Sequence, residues 1–131
     1  MTPHPNAGAV VFAKDPRRLA AFYESVAALK LVEAHDDHLI LESAQVQLVL
    51  HGLPAAIASG IEIATPPKRR EDTAIKLFFW VAALAEARTR AAALGGALGP
   101  QSTEWAGRGF LACDGYDPEG NVVQFRQITA Q

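Results

Sequence analysis

The sequence is short of sulfur, of net charge and of long apolar runs, and each shortage removes a class of protein. Cys113 is the only cysteine among 131 residues. No internal disulfide can form and no thiolate cluster can hold a metal within one chain, which fits a reducing compartment. Lys and Arg number 12 against 14 Asp and Glu, a formal charge of −2, so no net field favours nucleic acid or an anionic membrane surface. A basic run, Lys68-Arg69-Arg70, is followed at once by Glu71-Asp72 and reads as a solvated loop. No apolar stretch approaches the ~18 residues of a membrane span, and the opening residues lack the positive-then-apolar order of a signal peptide. A cytoplasmic protein is expected, with neither nucleic acid nor membrane as a partner.

What is present suffices for a core: half of the residues are apolar, at a length that suits one domain over residues 1–131. Ala9-Val10-Val11-Phe12-Ala13 is a short run rich in β-formers that stops at Asp15-Pro16, an N-cap followed by proline at the first helical position. From Arg17 to Leu29, residues Leu19, Phe22, Tyr23, Val26 and Leu29 fall three and four apart, the stripe of a helix with one buried face. Three β-like segments follow, Leu31 to Glu33, Leu39 to Glu42 and Val46 to His51, with connections short enough to require antiparallel neighbours. The stretch from Leu53 to Thr73 contains three prolines, a glycine and the mixed-charge run, and reads as a long connection.

The same order then returns. Ile75 to Val81 reads as a strand and Leu84 to Leu94 as an Ala-rich helix stopped by Gly95-Gly96, with later strands at Ala97 to Leu98, Phe110 to Cys113 and Val122 to Ile128. The last strand is entered through the tight turn Asp117-Pro118-Glu119-Gly120-Asn121. Registering Lys14-Asp15 on Ala82-Ala83 places Leu19 on Ala87 and Val26 on Leu94. Gln47 then falls on Gln124 only if the second copy carries an insertion within Gly99 to Gly109. The expected class is α+β, two βαβββ modules at about 7–52 and 74–128 joined by a loop at 53–73. A ferredoxin-like duplication is the structural alternative.

These features, a first strand ending in Lys14-Asp15-Pro16, a helix carrying Phe22-Tyr23, a midchain strand feeding Leu84-Ala85-Glu86-Ala87-Arg88, and Asp117-Pro118-Glu119-Gly120-Asn121-Val122-Val123-Gln124 near the end, together resemble the glyoxalase/bleomycin-resistance/extradiol-dioxygenase (vicinal oxygen chelate) superfamily. The resemblance implies tandem modules forming a curved eight-stranded mixed sheet around a ligand cavity, helices on the convex face, and pairing of modules within a chain or across a homodimer. It also implies four metal-ligand positions, which transfer to Gly8, Gln47, Lys76 and Gln124. Glycine has no side chain, a lysine ammonium repels a cation and glutamine is a weak neutral donor, so no family-type metal and no other cofactor is expected.

If those four point inward, strand alternation sends Val10, Phe12, Val49, Phe78, Trp80, Val122 and Arg126 to the same face, and Ala9, Val11, Leu77, Phe79, Val81, Val123 and Phe125 beneath the helices. That makes an aromatic-walled site with few polar groups, suited to a small molecule. Its candidate ligand-binding residues are Phe12, Gln47, His51, Lys76, Phe78, Trp80, Gln124 and Arg126. Lys76 and Arg126 would fix a carboxylate or phosphate; alternatively Lys76 snorkels to solvent and Arg126 pairs with Glu42 or Glu119. His51 shares the face of Gln47 and Val49 as a base, a ligand or a hydrogen-bonded strand-end residue, while His35 and His38 flank a turn and read as exposed. Trp105 reads as a flexible cover or a dimer contact, Tyr116 as a donor or a support for the turn, and Cys113, with no basic neighbour in sequence, as a buried inert thiol.

Two functions compete. One is a metal-independent binding protein for a small, partly apolar organic molecule, anionic if Lys76 and Arg126 anchor it. The other is a lyase, isomerase or dioxygenase of the same superfamily with an atypical or metal-free site, His51 or Lys76 serving as base. A structural or regulatory dimer is a third reading.

Overall fold

The computed structural model describes residues 4–129 and divides the chain into two compact units, one up to Glu62 and one from Ile63. Each builds its own sheet.

In the first unit, β1 (Ala7–Ala13) leads to α1 (Pro16–Val26), then β2 (Lys30–Ala34), β3 (His38–Glu42), β4 (Val46–Gly52) and a short α2 (Ala55–Ala58). The Asp15 side chain accepts from Arg18 N–H at 3.2 Å, and Pro16 opens the helix where no N–H is needed. The sheet order is β1-β4-β3-β2, with β1 parallel to β4 and the rest antiparallel. Alternation decides its two faces. Leu39, Leu41, Leu48 and Leu50 meet in register, Leu39 opposite Leu50 and Leu41 opposite Leu48, and are buried with Leu19, Phe22, Tyr23 and Val26 of α1. Helix α2 lies inside the stretch read as a connecting loop; the segment from Pro54 to Ile61 is closed by local backbone bonds rather than by an apolar stripe, so no periodicity announced it.

In the second unit, β5 (Leu77–Trp80) leads to α3 (Leu84–Ala93), then β6 (Ala97–Leu98), β7 (Trp105–Ala106), β8 (Phe110–Tyr116) and β9 (Val122–Ile128). The sheet order is β5-β9-β8-β6, β7 adding to β8, with β5 parallel to β9. Leu84, Ala87 and Ala91 of α3 are buried, as are Phe79, Cys113, Val123 and Phe125 of the strands. Ala83 has no side chain to cap α3, and Gln127 Oε1 accepts from Leu84 N–H at 2.8 Å instead.

Several elements differ from the sequence reading, and those that bear on the site lie in the second unit. β5 is four residues long, Leu77–Trp80, where Ile75 to Val81 was read: Leu77 pairs with Val123 near the start of β9, and Asn121, just before β9, is bridged by Arg70 instead. β8 runs on to Tyr116, held by seven register pairs with β9. The expected insertion between Gly99 and Gly109 contains a 3-10 turn, Gln101–Thr103, and β7. The α+β class and the strand-helix-strand order of both units stand as expected.

Candidate functional site

The face of the first sheet turned away from α1 is organised in rungs. Phe12, His51 and His38 stand opposite one another on β1, β4 and β3; Val10, Val49 and Ile40 form the next rung, and Gly8, Gln47 and Glu42 the third. Phe12 remains 60% exposed although it is large and apolar. The Gln47 amide N–H donates to Glu42 Oε2 at 2.7 Å, so its orientation is fixed.

His51 was the histidine singled out from sequence, yet the structure gathers three. His35 stacks on His38 with ring centroids 4.4 Å apart, and His38 lies parallel to His51 at 5.9 Å. His38 Nδ1–H donates to Asp37 Oδ1 at 2.7 Å, and His51 Nδ1–H donates to the Gly52 carbonyl at 2.9 Å, while His51 Nε2 lies 3.9 Å from Asp37 Oδ2. The His38 hydrogen bond holds the Asp37 carboxyl below its usual value, with the charges of His38 and His51 acting in the same direction. Reading His35 and His38 as isolated turn residues was therefore incomplete: β-pairing brings His38 opposite His51.

In the second unit the uncovered face carries Phe78 and Trp80 of β5, Gln124 and Arg126 of β9, and Phe110 and Asp114 of β8. The register sets Phe78, Gln124 and Asp114 in one rung and Trp80, Arg126, Ala112 and Trp105 in the next. Four side chains are linked in series. Lys76 Nζ donates to Asp114 Oδ2 at 2.7 Å, Gln124 Nε2 donates to Asp114 Oδ1 at 3.2 Å, and Arg126 Nε donates to Gln124 Oε1 at 2.6 Å. The guanidinium carbon of Arg126 lies 3.7 Å from the Phe78 ring centroid and 4.2 Å from that of Phe110, with Trp80 at 6.0 Å. Trp80 and Trp105 both make edge contacts with Phe110, at 5.9 and 5.8 Å, and both remain near half exposed.

Several expectations need correction here. Arg126 pairs with neither Glu42 nor Glu119; the aromatic rings and Gln124 engage it. Lys76 precedes β5 rather than lying within it, and its ammonium is taken up by Asp114. The residue standing opposite Gln124, as Gly8 stands opposite Gln47, is Phe78 and not Lys76. Trp105 is no loose cover, since its backbone pairs with Ala112. Cys113 does have a basic neighbour: Arg88 Nη2 lies 3.7 Å from its sulfur. That guanidinium is itself anchored on Glu104 at 2.6 Å and the Gly99 carbonyl at 2.7 Å, and the Glu104 hydrogen bond raises its pKa further. Asp114 was missed because β8 was read to stop at Cys113, and Phe110, although inside the strand as read, was not assigned to a face because the alternation of that strand was not used.

The metal positions of the resembled superfamily do not form a donor set here. Gly8 offers no donor, and a Cβ at that position would lie 2.6 Å from the Gln47 carbonyl oxygen, so a ligating side chain would require the backbone to move. The amide nitrogens of Gln47 and Gln124 are held by Glu42 and Asp114, and Lys76 is a cation. Among the described residues no three His, Cys, Asp or Glu side chains are grouped so as to hold a metal ion.

A family model described as a glyoxalase-like domain matches residues 8–125. No curated protein matches the chain. Among solved structures, a glyoxalase/bleomycin resistance protein/dioxygenase family enzyme from Burkholderia phytofirmans PsJN is 17% identical, with a TM-score of 0.70 over 95% of this chain and 99% of that one. The fosfomycin resistance protein FosX from Listeria monocytogenes is 14% identical, with a TM-score of 0.65 over 100% of this chain and 95% of that one. A glyoxalase/bleomycin resistance protein from Albidiferax ferrireducens T118 is also 14% identical, with a TM-score of 0.65 over 92% and 96%. At these identities the likeness establishes the fold.

Proposed function

This chain belongs to the glyoxalase-like domain family, within the vicinal oxygen chelate superfamily, and we propose that it binds a small, partly apolar organic molecule on the aromatic sheet face of its second unit, without a family-type metal. The observation that carries the proposal is the cluster of Phe78, Trp80 and Trp105, each about half exposed, with the Arg126 guanidinium over Phe78 and near Trp80 and with Trp105 joined to it through Phe110. Leaving adjacent aromatic surfaces in water is unfavourable by ~25 cal/mol per Å² of apolar area, so a ligand that covers them gains what the fold forgoes. Few polar groups on such a wall then set orientation.

Trp80 and Trp105 supply the reporter. A panel of small aromatic and alicyclic compounds, acids and neutral molecules alike, should include members that shift tryptophan emission and raise the melting temperature in proportion to concentration. A panel without a single such member would remove the proposal. Metal analysis of protein purified without chelator tests the metal-free part: a stoichiometric divalent ion would overturn it.

A catalytic reading, as a lyase, isomerase or dioxygenase relative, is favoured by one observation, the Asp37–His38 pair, in which the carboxylate fixes the imidazole tautomer so that Nε2 can accept a proton. We place the protein in the cytoplasm as a homodimer with no nucleic-acid or membrane partner. The balanced charge and the exposed Val10 and Phe12 support this, and no helix among the described residues is long and apolar enough to cross a membrane. Sedimentation at micromolar concentration tests the dimer.

A further inference from the structure

Resting on the reading of the second unit's face as a small-molecule site, we propose that its ligand is an organic monoanion carrying a carboxylate, and that Arg126 anchors this group while Gln124 and Asp114 position the arginine. Three observations lead there. First, Arg126 has one hydrogen-bond acceptor among the described residues, Gln124 Oε1, reached by Nε; the terminal amino groups have none. A guanidinium presents its donors in a planar fork that matches a carboxylate, and the terminal edge is the part that Gln124 leaves available.

Second, the arginine is held in place before any ligand arrives. Phe78 and Phe110 flank the guanidinium at 3.7 and 4.2 Å, Gln124 fixes its Nε, and Asp114 fixes the Gln124 amide through Nε2, so the amide oxygen must face the arginine. Gln124 is nearly fully buried and cannot turn to solvent. A side chain pre-ordered in this way loses little entropy on binding. The rings also displace water from the guanidinium, which strengthens its attraction for an anion.

Third, the charges on this face select a singly charged group. Lys76 is matched by Asp114 at 2.7 Å, and Arg126 is left as the cation without a carboxylate partner among the described residues. One unit of positive charge balances a carboxylate; a phosphate monoester dianion would leave a negative charge beside Asp114. The strand position from which the superfamily draws a metal ligand is occupied here by an amide that aims an arginine, so the site presents its ligand with a hydrogen-bonding organic cation.

Three probes that share one naphthyl body test this by calorimetry on the full chain: 2-naphthoate, its neutral isostere 2-naphthamide, and 2-naphthyl phosphate. Naphthoate should bind about tenfold or more tightly than the amide, the range a charge-assisted pair supplies. Arg126→Met should abolish that preference while leaving amide binding measurable. Arg126→Lys, which keeps the charge and folds with a smaller change of shape, should retain only part of it. Lys76→Met, which leaves Asp114 unmatched on the same face, should weaken the preference less than Arg126→Met does. Equal binding of naphthoate and amide would overturn the anchor while leaving the aromatic face intact as a binding site. Tighter binding of the phosphate, or loss of the preference in Lys76→Met but not in the Arg126 variants, would overturn the assignment of charge and residue. Failure of all three probes to bind, with naphthyl compounds chosen to cover Phe78 and Trp80, would overturn both this proposal and the reading on which it rests.

Discussion

Gln124 donates its side-chain N–H to Asp114 at 3.2 Å across the register pair that joins β9 to β8. The first unit repeats the device, Gln47 donating to Glu42 at 2.7 Å across β4 and β3. The two pairs occupy corresponding rungs, but Gln124 is the more buried and is bonded at both ends. Gln124→Leu should therefore destabilise the protein by about 1–3 kcal/mol, because two partners lose a buried bond, and Gln47→Leu by less than about 1 kcal/mol. Urea unfolding of both variants checks the order; an equal cost would show that burial does not distinguish them.

Asp117 is fully buried in the turn before β9 and accepts from the backbone N–H groups of Glu119 and Asn121 and from Asn121 Nδ2, at 2.9, 3.1 and 2.9 Å. Gly120 completes the turn at φ 85°, where a Cβ would collide with the Lys68 carbonyl oxygen. Asp117→Ala strands three donors, and a loss of about 2–4 kcal/mol in unfolding free energy is expected. Retention of wild-type stability would mean that the turn is held by its backbone alone.

Ala28, just beyond α1, adopts φ 54°, while Leu29 N–H closes back on the Tyr23 carbonyl at 3.3 Å. This is a left-handed helix stop occupied by a residue with a Cβ, a conformation that costs an L-residue about 1 kcal/mol or more. Glycine relieves that cost but gives back part of it through unfolded-state entropy. Ala28→Gly should stabilise by about 0.5 kcal/mol, read as a rise in the denaturation midpoint at unchanged slope.

The hydrogen bond from His38 lowers the pKa of Asp37 in the folded protein relative to the unfolded chain. A depressed carboxylate contributes stability that is present above its unfolded pKa and is lost as the pH falls through the folded value. The acid limb of a melting-temperature profile should accordingly be shallower in Asp37→Asn than in the parent, with the curves converging at the lowest pH. An unchanged acid limb would remove Asp37 from the linkage.

Cys113 has no exposed surface and is packed against Arg88, Thr103 and the Gly99 carbonyl. Burial denies a reagent access to the sulfur, and access decides. A disulfide reagent should leave the native thiol unmodified and react at once in denaturant. Rapid modification of the native protein would reveal local opening around Gly99 to Glu104.

Much of the chemistry of the second sheet's uncovered face could be read from period-2 alternation, which separates Phe78, Trp80, Gln124 and Arg126 from Phe79, Val123 and Phe125 without knowledge of any contact. The same rule placed Phe12 and His51 together on the first sheet. It failed where a strand bound was short, so that Asp114 went unassigned, where it was not applied to β8, so that Phe110 was given no face, and where the two copies were registered by motif rather than by pairing, so that Lys76 was put in the place of Phe78.

The sequence by itself determined where the two longer helices and the main strands fall, because apolar spacing, the Asp15-Pro16 cap and the Asp117 turn act over a few residues of chain. Only the tertiary structure decided which charges meet. Lys76 and Asp114 are 38 residues apart, Arg88 and Cys113 are 25 apart, and nothing local distinguishes those partners from other acids or bases. Their pairing follows from sheet register, a long-range property fixed when the buried faces of β8 and β9 pack together, and the polar face receives whatever order that packing imposes.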